Sequence, residues 1–499
     1  MSSFFSTGGV VLVILVSTVL TIPSSLGLVW LYQRSVRAAM ALHAASRQSL
    51  SPSPPAPRVL VAPAAALTFR EFGPASAAPA DSVASLTLRR ALGGPWRAAA
   101  IYTLAGLVYA LLTALLLLTA AGTAVLPQRL SVVTLAYAWP VVLTVNLLTA
   151  SRRSIQIRNA AIYVAVLLVL IGFDVRDAAV LWLVTAGPPS VLLLAFMYPK
   201  VRTIGPLVFT FMTIGVFGAN LLLVPLDITG VQRLVASVSV AIGLDVTAWI
   251  VAAAILGFAI AAVLGWGALS WVRRRYDAKQ VSDQSLSIDA IWLVFTVYNA
   301  TDIASDGAGW GAVTLATFIV FRVLAGIGFA LSSGHGAAPQ NYRLLFLRVF
   351  GSAARSTRLM NLIGARWRYA GSIQLITGTD LATSTLEPHE FLEFVRGRLT
   401  NRHIRDRESL ERQVGATDLR PDFDGRFRIN EFLCHEDTWQ ATLSRLVGSS
   451  DVVLMDLRGF SPANQGCVFE LQALVNEVPL ARVITIVDGT TDVGFLHGV

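Results

Sequence analysis

Apolar residues in the first 275 positions come in long unbroken runs rather than in strand-like alternation or helical stripes. A hydrocarbon core about 30 Å thick takes about 20 helical residues to cross. Runs of that kind cover 8–32, 98–121, 131–150, 178–198, 204–224 and 249–271. The run 159–173 is shorter, about 22 Å as a helix, and needs flanking residues to span. Pro140 and the Pro188–Pro189 pair fall inside runs, so kinks are predicted there, because proline removes a helix hydrogen bond.

Two segments break this pattern. Residues 33–97 carry a Pro- and Ser-rich core from Ser51 to Pro57, a composition that buries little and reads as a linker. Residues 276–340 hold apolar stretches at 291–298 and 310–331, with Asp289, Asp302 and Asp306 around them and Arg322 inside the second. Interfacial helices are the preferred reading of this segment, and a hairpin is the alternative.

From about residue 341 the texture changes to short apolar strands alternating with amphipathic helices. Strands are expected at 344–350, 372–377, 428–433, 451–457 and 482–487, with helices ending near Tyr369 and covering 438–447 and 464–478. Residues 386–415 read as a charged, mostly helical insertion. Such alternation implies a parallel sheet covered on both faces, a doubly wound α/β domain over 341–499. The chain ends soon after the last strand, leaving little room for a closing helix. The expected architecture is therefore a first transmembrane helix (1–32), a linker (33–97), a six-helix transmembrane bundle (98–275), the ambiguous segment (276–340) and the α/β domain.

Composition and charge sharpen this picture. Hydrophobic residues make up 55% and charged residues 14% of the 499, against about 25% charged in an ordinary soluble domain. A wholly soluble enzyme is excluded. Residues 1–340 hold 21 Lys and Arg against 11 acids, while 341–499 hold 18 Arg against 19 acids. The α/β domain is thus electrically balanced, which argues against nucleic acid as a partner. With the N-terminus outside, 17 basic residues fall in inner loops and three, Arg129, Arg176 and Arg233, in outer ones. This positive-inside bias predicts a multi-pass protein of the cytoplasmic membrane with its C-terminal domain in the cytoplasm. The first run has no basic residue before it, unlike a signal peptide.

Many chemistries are missing. Two cysteines exclude a disulfide scaffold and a multi-cysteine zinc site. No phosphate-loop, H-E-x-x-H or G-x-S-x-G motif occurs, and the six histidines show no metal-ligand spacing. The clear spans are almost devoid of ionisable groups, which favours an anchor or sensor over an ion-coupled transporter.

One stretch stands out, D-V-V-L-M-D-L-R-G-F-S-P-A-N-Q-G-C-V-F-E-L from Asp451 to Leu471. A strand feeding a loop and then a helix puts the loop at the carboxyl edge of the sheet, where open α/β sheets bind ligands. Ser461 and Pro462 read as N-cap and first helical residue. Cys467, Val468, Leu471, Leu474, Val475 and Val478 form an apolar arc on a helical wheel. Glu470 falls at the margin of that arc, and Phe469 points the opposite way, toward a covered outer surface.

This stretch resembles the strand, loop and helix of Toll/interleukin-1 receptor (TIR) domains, in which S-x-x-[YF]…W-C-x-x-E-L opens the helix bearing a catalytic glutamate. Cys467, Glu470 and Leu471 match C-x-x-E-L, Ser461 matches the opening serine, and Val349-Phe350-Gly351-Ser352 is similar to the family's V-F-x-S first strand. Gly466 stands where the family carries tryptophan, and no R-D-x-x-P-G loop is recognisable.

The resemblance implies a signalling or defence-type effector acting on a nucleotide, with NAD as substrate and no required cofactor or metal. Glu470 would stabilise the oxocarbenium-like ribose as nicotinamide leaves. Asp456 would meet ribose hydroxyls, Ser352 or Arg355 would approach a phosphate, and Ser461 and Asn464 would complete the nucleotide-binding set. Nucleoside deoxyribosyltransferase-like domains are similar too, with an acidic nucleophile on the helix after a D-V-V-x-x-D-L strand. The alternative from another class is a non-catalytic membrane sensor or scaffold that binds a nucleotide or self-associates as a homo-oligomer.

Overall fold

The computed structural model describes residues 23–36, 38, 82–150, 152–195, 208, 211–212, 215, 229–242, 246–332, 341–349, 353–377, 403–435 and 437–498. Most of the expected spans 8–32 and 204–224, most of the linker, Ser352 and the segment 378–400 lie outside the described residues. The chain divides into two units: Met1–Trp30, Trp96–His335 and Leu386–Leu392 in the first, and Leu31–Pro95, Gly336–Thr385 and Glu393–Val499 in the second.

The first unit is helical. Among the described residues four helices are long and apolar enough to cross a membrane: Arg89–Ala120, Arg153–Ile171, Val251–Asp277 and Gly309–Ser332. The expected run 131–150 forms a pair, Pro127–Tyr137 and Trp139–Thr149, bent by 42°. The break comes just before Pro140, which takes up a position in the first turn of the second helix, where a missing N–H costs nothing. The run 178–198 likewise divides into Val175–Thr185 and Gly187–Ala195 next to Pro188–Pro189. Leu104, Ile162, Val169, Ile255, Val263 and Ile319 stand exposed on these helices, an apolar outer surface suited to a lipid solvent.

The ambiguous segment resolves into two helices, Asp283–Ile303 and Ala308–Ser332, joined by a 3₁₀ turn at Ala304–Asp306. They pack against each other through Trp292 and Phe321, whose rings stack at 4.4 Å. Arg322 reaches Asp289 at 3.3 Å. The Trp292 indole N–H donates to Thr144 at 3.0 Å, so the first of these helices is tied into the helical core. Ser282 and Ser285 form a capping box that starts it.

The second unit carries a six-stranded, wholly parallel sheet: β1 Leu344–Arg348, β2 Ile373–Thr377, β3 His403–Ile404, β4 Ile429–Cys434, β5 Val452–Asp456 and β6 Val483–Ile486, in the order β3-β4-β2-β1-β5-β6. β1 and β2 are buried along their whole length, as strands covered on both faces must be. Leu344, Phe346, Ile373, Leu375 and Leu454 pack with Met360 of the helix Ala353–Trp367 on one face. Leu345, Leu347, Val453 and Met455 pack on the other with Leu443 of Trp439–Val447 and Leu474 of Gln465–Glu477. The alternation of side chains along each strand divides the two cores.

Three details differ from the sequence reading. The insertion at 386–415 contributes a strand, β3, which pairs with β4 beside the helix Arg407–Gly415. At two residues, flanked by Arg402 and Arg405, β3 is too short to carry a periodic signal. The chain also finds room for a closing helix, Val493–Gly498, which buries Leu496. Phe469, expected to await an outside partner, meets Trp439 edge-on at 5.3 Å within the domain.

Candidate functional site at the β1–β5 switch point

β1 and β5 are neighbours in the sheet, yet their following helices lie on opposite faces. The chain leaves β1 toward β2 and leaves β5 toward β6, so the strand order reverses between them. The carboxyl ends of two such strands are the usual ligand position in doubly wound sheets.

Glu470 lies on the helix Gln465–Glu477, three residues after Cys467 and four before Leu474, and all three face inward. Its place is thus inside the buried arc rather than at the margin, while Val475, expected within the arc, is 38% exposed. The Glu470 side chain is 2% exposed, and its Oε2 accepts no hydrogen bond. Burial pushes its carboxyl up to about 8, against a smaller downward pull from the Arg348 guanidinium. Near neutral pH the group is therefore mostly protonated.

Arg348, the last residue of β1, is 3% exposed and stands opposite Asp456 in register. The Cys467 thiol lies 3.8 Å from its carbonyl oxygen. Arg348 was not singled out from the sequence. The signal was present: it is the one charge in the buried strand L-L-F-L-R.

Asp456, at the end of β5, is also buried, but both carboxylate oxygens are engaged. Arg458 grips it with Nε on Oδ1 and Nη2 on Oδ2, each at 2.7 Å. Ser356 donates to Oδ2 at 3.2 Å from the helix after β1. Arg458 also donates to the Arg355 carbonyl at 3.2 Å, and Arg355 donates to Thr490 at 3.4 Å. Asp456 and Arg458 thereby tie together the chain after β1 and after β5, while Arg355 adds the loop after β6. Replacing Asp456 by Ala strands Arg458 and Ser356 and should destabilise the domain by about 2 kcal/mol. Faster labelling of the buried thiols Cys434 and Cys467 would register that loss.

Ser461 and Asn464 bond to each other. The Asn464 Oδ1 accepts from the Ser461 backbone N–H at 2.9 Å and from its hydroxyl at 3.0 Å. The helix begins only at Gln465, with Asn464 in the N-cap position and no side-chain cap bond. The reading of Ser461-Pro462 as cap and first helical residue is corrected: a closed turn intervenes, and it uses the polar groups that would have capped the helix.

Glu470 and Arg348 interact electrostatically inside the domain, Asp456 and Arg355 join through Arg458, and Ser461 and Asn464 form a separate turn. Among the described residues no group of three or more His, Cys, Asp or Glu could hold a metal ion. Comparisons of the chain with protein-family models, with characterised proteins and with solved structures return no match.

Proposed function

We propose that this is a multi-pass membrane protein whose α/β domain faces the cytoplasm and cleaves the N-glycosidic bond of a nucleotide at the β1–β5 switch point, with NAD as the substrate class. The observation that carries the reading is Glu470: a carboxyl shut away from water at a ligand-binding edge, without a hydrogen-bonding partner on Oε2, beside a buried cation. Perturbed carboxyls in such places are where acid–base and electrostatic chemistry concentrates. The resemblance to TIR domains at Cys467, Glu470 and Leu471 supports the same assignment. The cytoplasmic orientation rests on the asymmetry of loop charge. It requires Asp283–Ile303 and Ala308–Ser332 to return as a hairpin; the second is apolar enough to cross, and the 21 residues of the first supply the length, about 31 Å, though not the same apolarity.

In this mechanism the bond from C1′ to nitrogen breaks with its electron pair leaving on the neutral nicotinamide, and the ionised Glu470 stabilises the positive charge developing on the ribose. Water adds to C1′ and loses a proton to solvent. A cationic nicotinamide ring entering there favours that ionisation by bringing opposite charge to the carboxyl. Asp456 takes part only by releasing Arg458 or Ser356 to make room for ribose hydroxyls.

Nicotinamide release from NAD by the full chain in nanodiscs tests the proposal. The rate at limiting substrate should climb about tenfold per pH unit and level off near pH 8, following the free-protein carboxyl. Glu470→Gln should abolish turnover. Absence of turnover in the unaltered chain overturns catalysis. If nucleotide binding persists without turnover, the alternative holds: a non-catalytic sensor, which the commitment of both Asp456 oxygens to Arg458 and Ser356 favours.

A further inference from the structure

β6 ends the sheet, with β5 on one side and no strand among the described residues on the other. Edge strands are ordinarily blunted by proline, lysine or short length. β6 is short, Val483–Ile486, and follows a 3₁₀ turn at Leu480–Arg482, but the segment Arg482-Val-Ile-Thr-Ile-Val-Asp488 contains neither proline nor lysine. Ile484 is 41% exposed and Val487 48% exposed, and Leu480 just before them is 47% exposed. The Leu457 N–H donates to the Ile486 carbonyl at 2.8 Å, so Ile484 and Ile486 turn their main-chain groups toward β5. Alternation then directs those of Thr485 and Val487, and the Val483 carbonyl, to the open edge; the Val483 N–H is already taken by the Leu480 carbonyl.

We propose that this edge pairs antiparallel with β6 of a second copy of the chain, about a twofold axis through Thr485. The register is self-complementary. Val483 then opposes Val487 of the partner subunit, and Ile484 opposes Ile486 of the partner subunit. Arg482 faces Asp488 of the partner subunit, and the twofold repeats that ion pair at the other end. Both charges stand at the exposed surface. Asp488 is kept ionised by the Thr490 hydroxyl and backbone N–H, which donate to its Oδ1 at 2.5 and 2.9 Å. Shifting the pairing by one residue moves each aliphatic side chain to the wrong face and separates the charges. The occupant is a second copy because this one register pairs the open main-chain groups of Thr485 with themselves and the Val487 N–H with the carbonyl of Val483 of the partner subunit, and sets aliphatic pairs and opposite charges against each other as well. Two domains so joined share one continuous sheet.

Cysteine cross-linking of the detergent-solubilised full chain reads the register, since both native cysteines are buried. Across the twofold, Thr485 lies about 5.5 Å Cα to Cα from its symmetry mate, within disulfide range. Thr485→Cys should oxidise to a dimer. Ile484→Cys, whose mate is a diagonal neighbour about 7–8 Å away, should not. Arg482→Asp should weaken dimerisation by about tenfold over its two symmetric pairs, and adding Asp488→Arg should restore it. Equal cross-linking at 484 and 485, or a double charge reversal that fails to rescue, overturns the proposal.

Discussion

At pH 9, Glu470→Gln should slow thiol labelling of Cys434 and Cys467 by a hundredfold or more relative to the unaltered chain; at pH 5 the two should label alike. Both cysteines are buried in the α/β domain, and burial holds the Cys434 thiol up at about 12. Labelling therefore reports opening of this domain. Comparing the two chains at one pH cancels the reagent's own preference for thiolate.

The sign follows from the raised carboxyl. Folded Glu470 titrates near 8 and the unfolded side chain near 4.5, so the folded state holds the extra proton between those values. Its contribution is fully present below about pH 4.5 and is lost as pH rises through about 8. At high pH the loss is on the order of 5 kcal/mol, the linkage equivalent of the shift. Glutamine keeps the shape and cannot ionise, so the variant escapes the loss. The effect is large because the carboxyl is 2% exposed and water does not screen it.

Gly371→Ala should destabilise the same domain by about 3 kcal/mol or more, speeding labelling of the two cysteines over a hundredfold at neutral pH. Gly371 lies between the turn after the helix Ala353–Trp367 and β2, and its N–H donates to the Trp367 carbonyl at 2.9 Å. A Cβ there would stand 2.6 Å from the backbone carbonyl carbon and nitrogen of Tyr342 and would overlap its carbonyl oxygen. Backbone cannot rotate out of the way as a side chain can. Relief requires separating Tyr342 from Gly371 just where β1 and β2 begin their register, Leu344 against Ile373. Unaltered labelling in Gly371→Ala would show that the approach of these backbones is dispensable.

Where burial on both faces demanded an apolar run, the sequence was readable. D-V-V-L-M-D-L could only be a covered strand, and it is β5. The helix after it was also readable from its 3.6-residue spacing. Its polar partners were not, because they come from distant positions. Arg458 lies two residues from Asp456, yet only the fold brings up Ser356, and only the pairing of β1 with β5 brings Arg348 near Glu470. A helical wheel puts Glu470 at the margin because the arc is drawn through apolar residues only, Val475 among them, and Val475 stands 38% exposed. The structure places it inside, where proton binding resolves the conflict. In the bundle, long runs revealed helices, but proline position chose the breaks. Helix Asp283–Ile303 was obscured by its acids, one of which, Asp289, is answered by Arg322 from the neighbouring helix.

The most direct measurement is an infrared pH titration of the full chain in nanodiscs, read as the difference between the unaltered protein and Glu470→Gln. That subtraction isolates one carboxyl from every other acid in the chain. A protonated-carboxyl band that disappears with a midpoint near 8 and is absent from the variant is the expected result. A difference band titrating near 4.5 would mean that Glu470 meets water like any surface glutamate, contradicting a sequestered acid at the β1–β5 switch point.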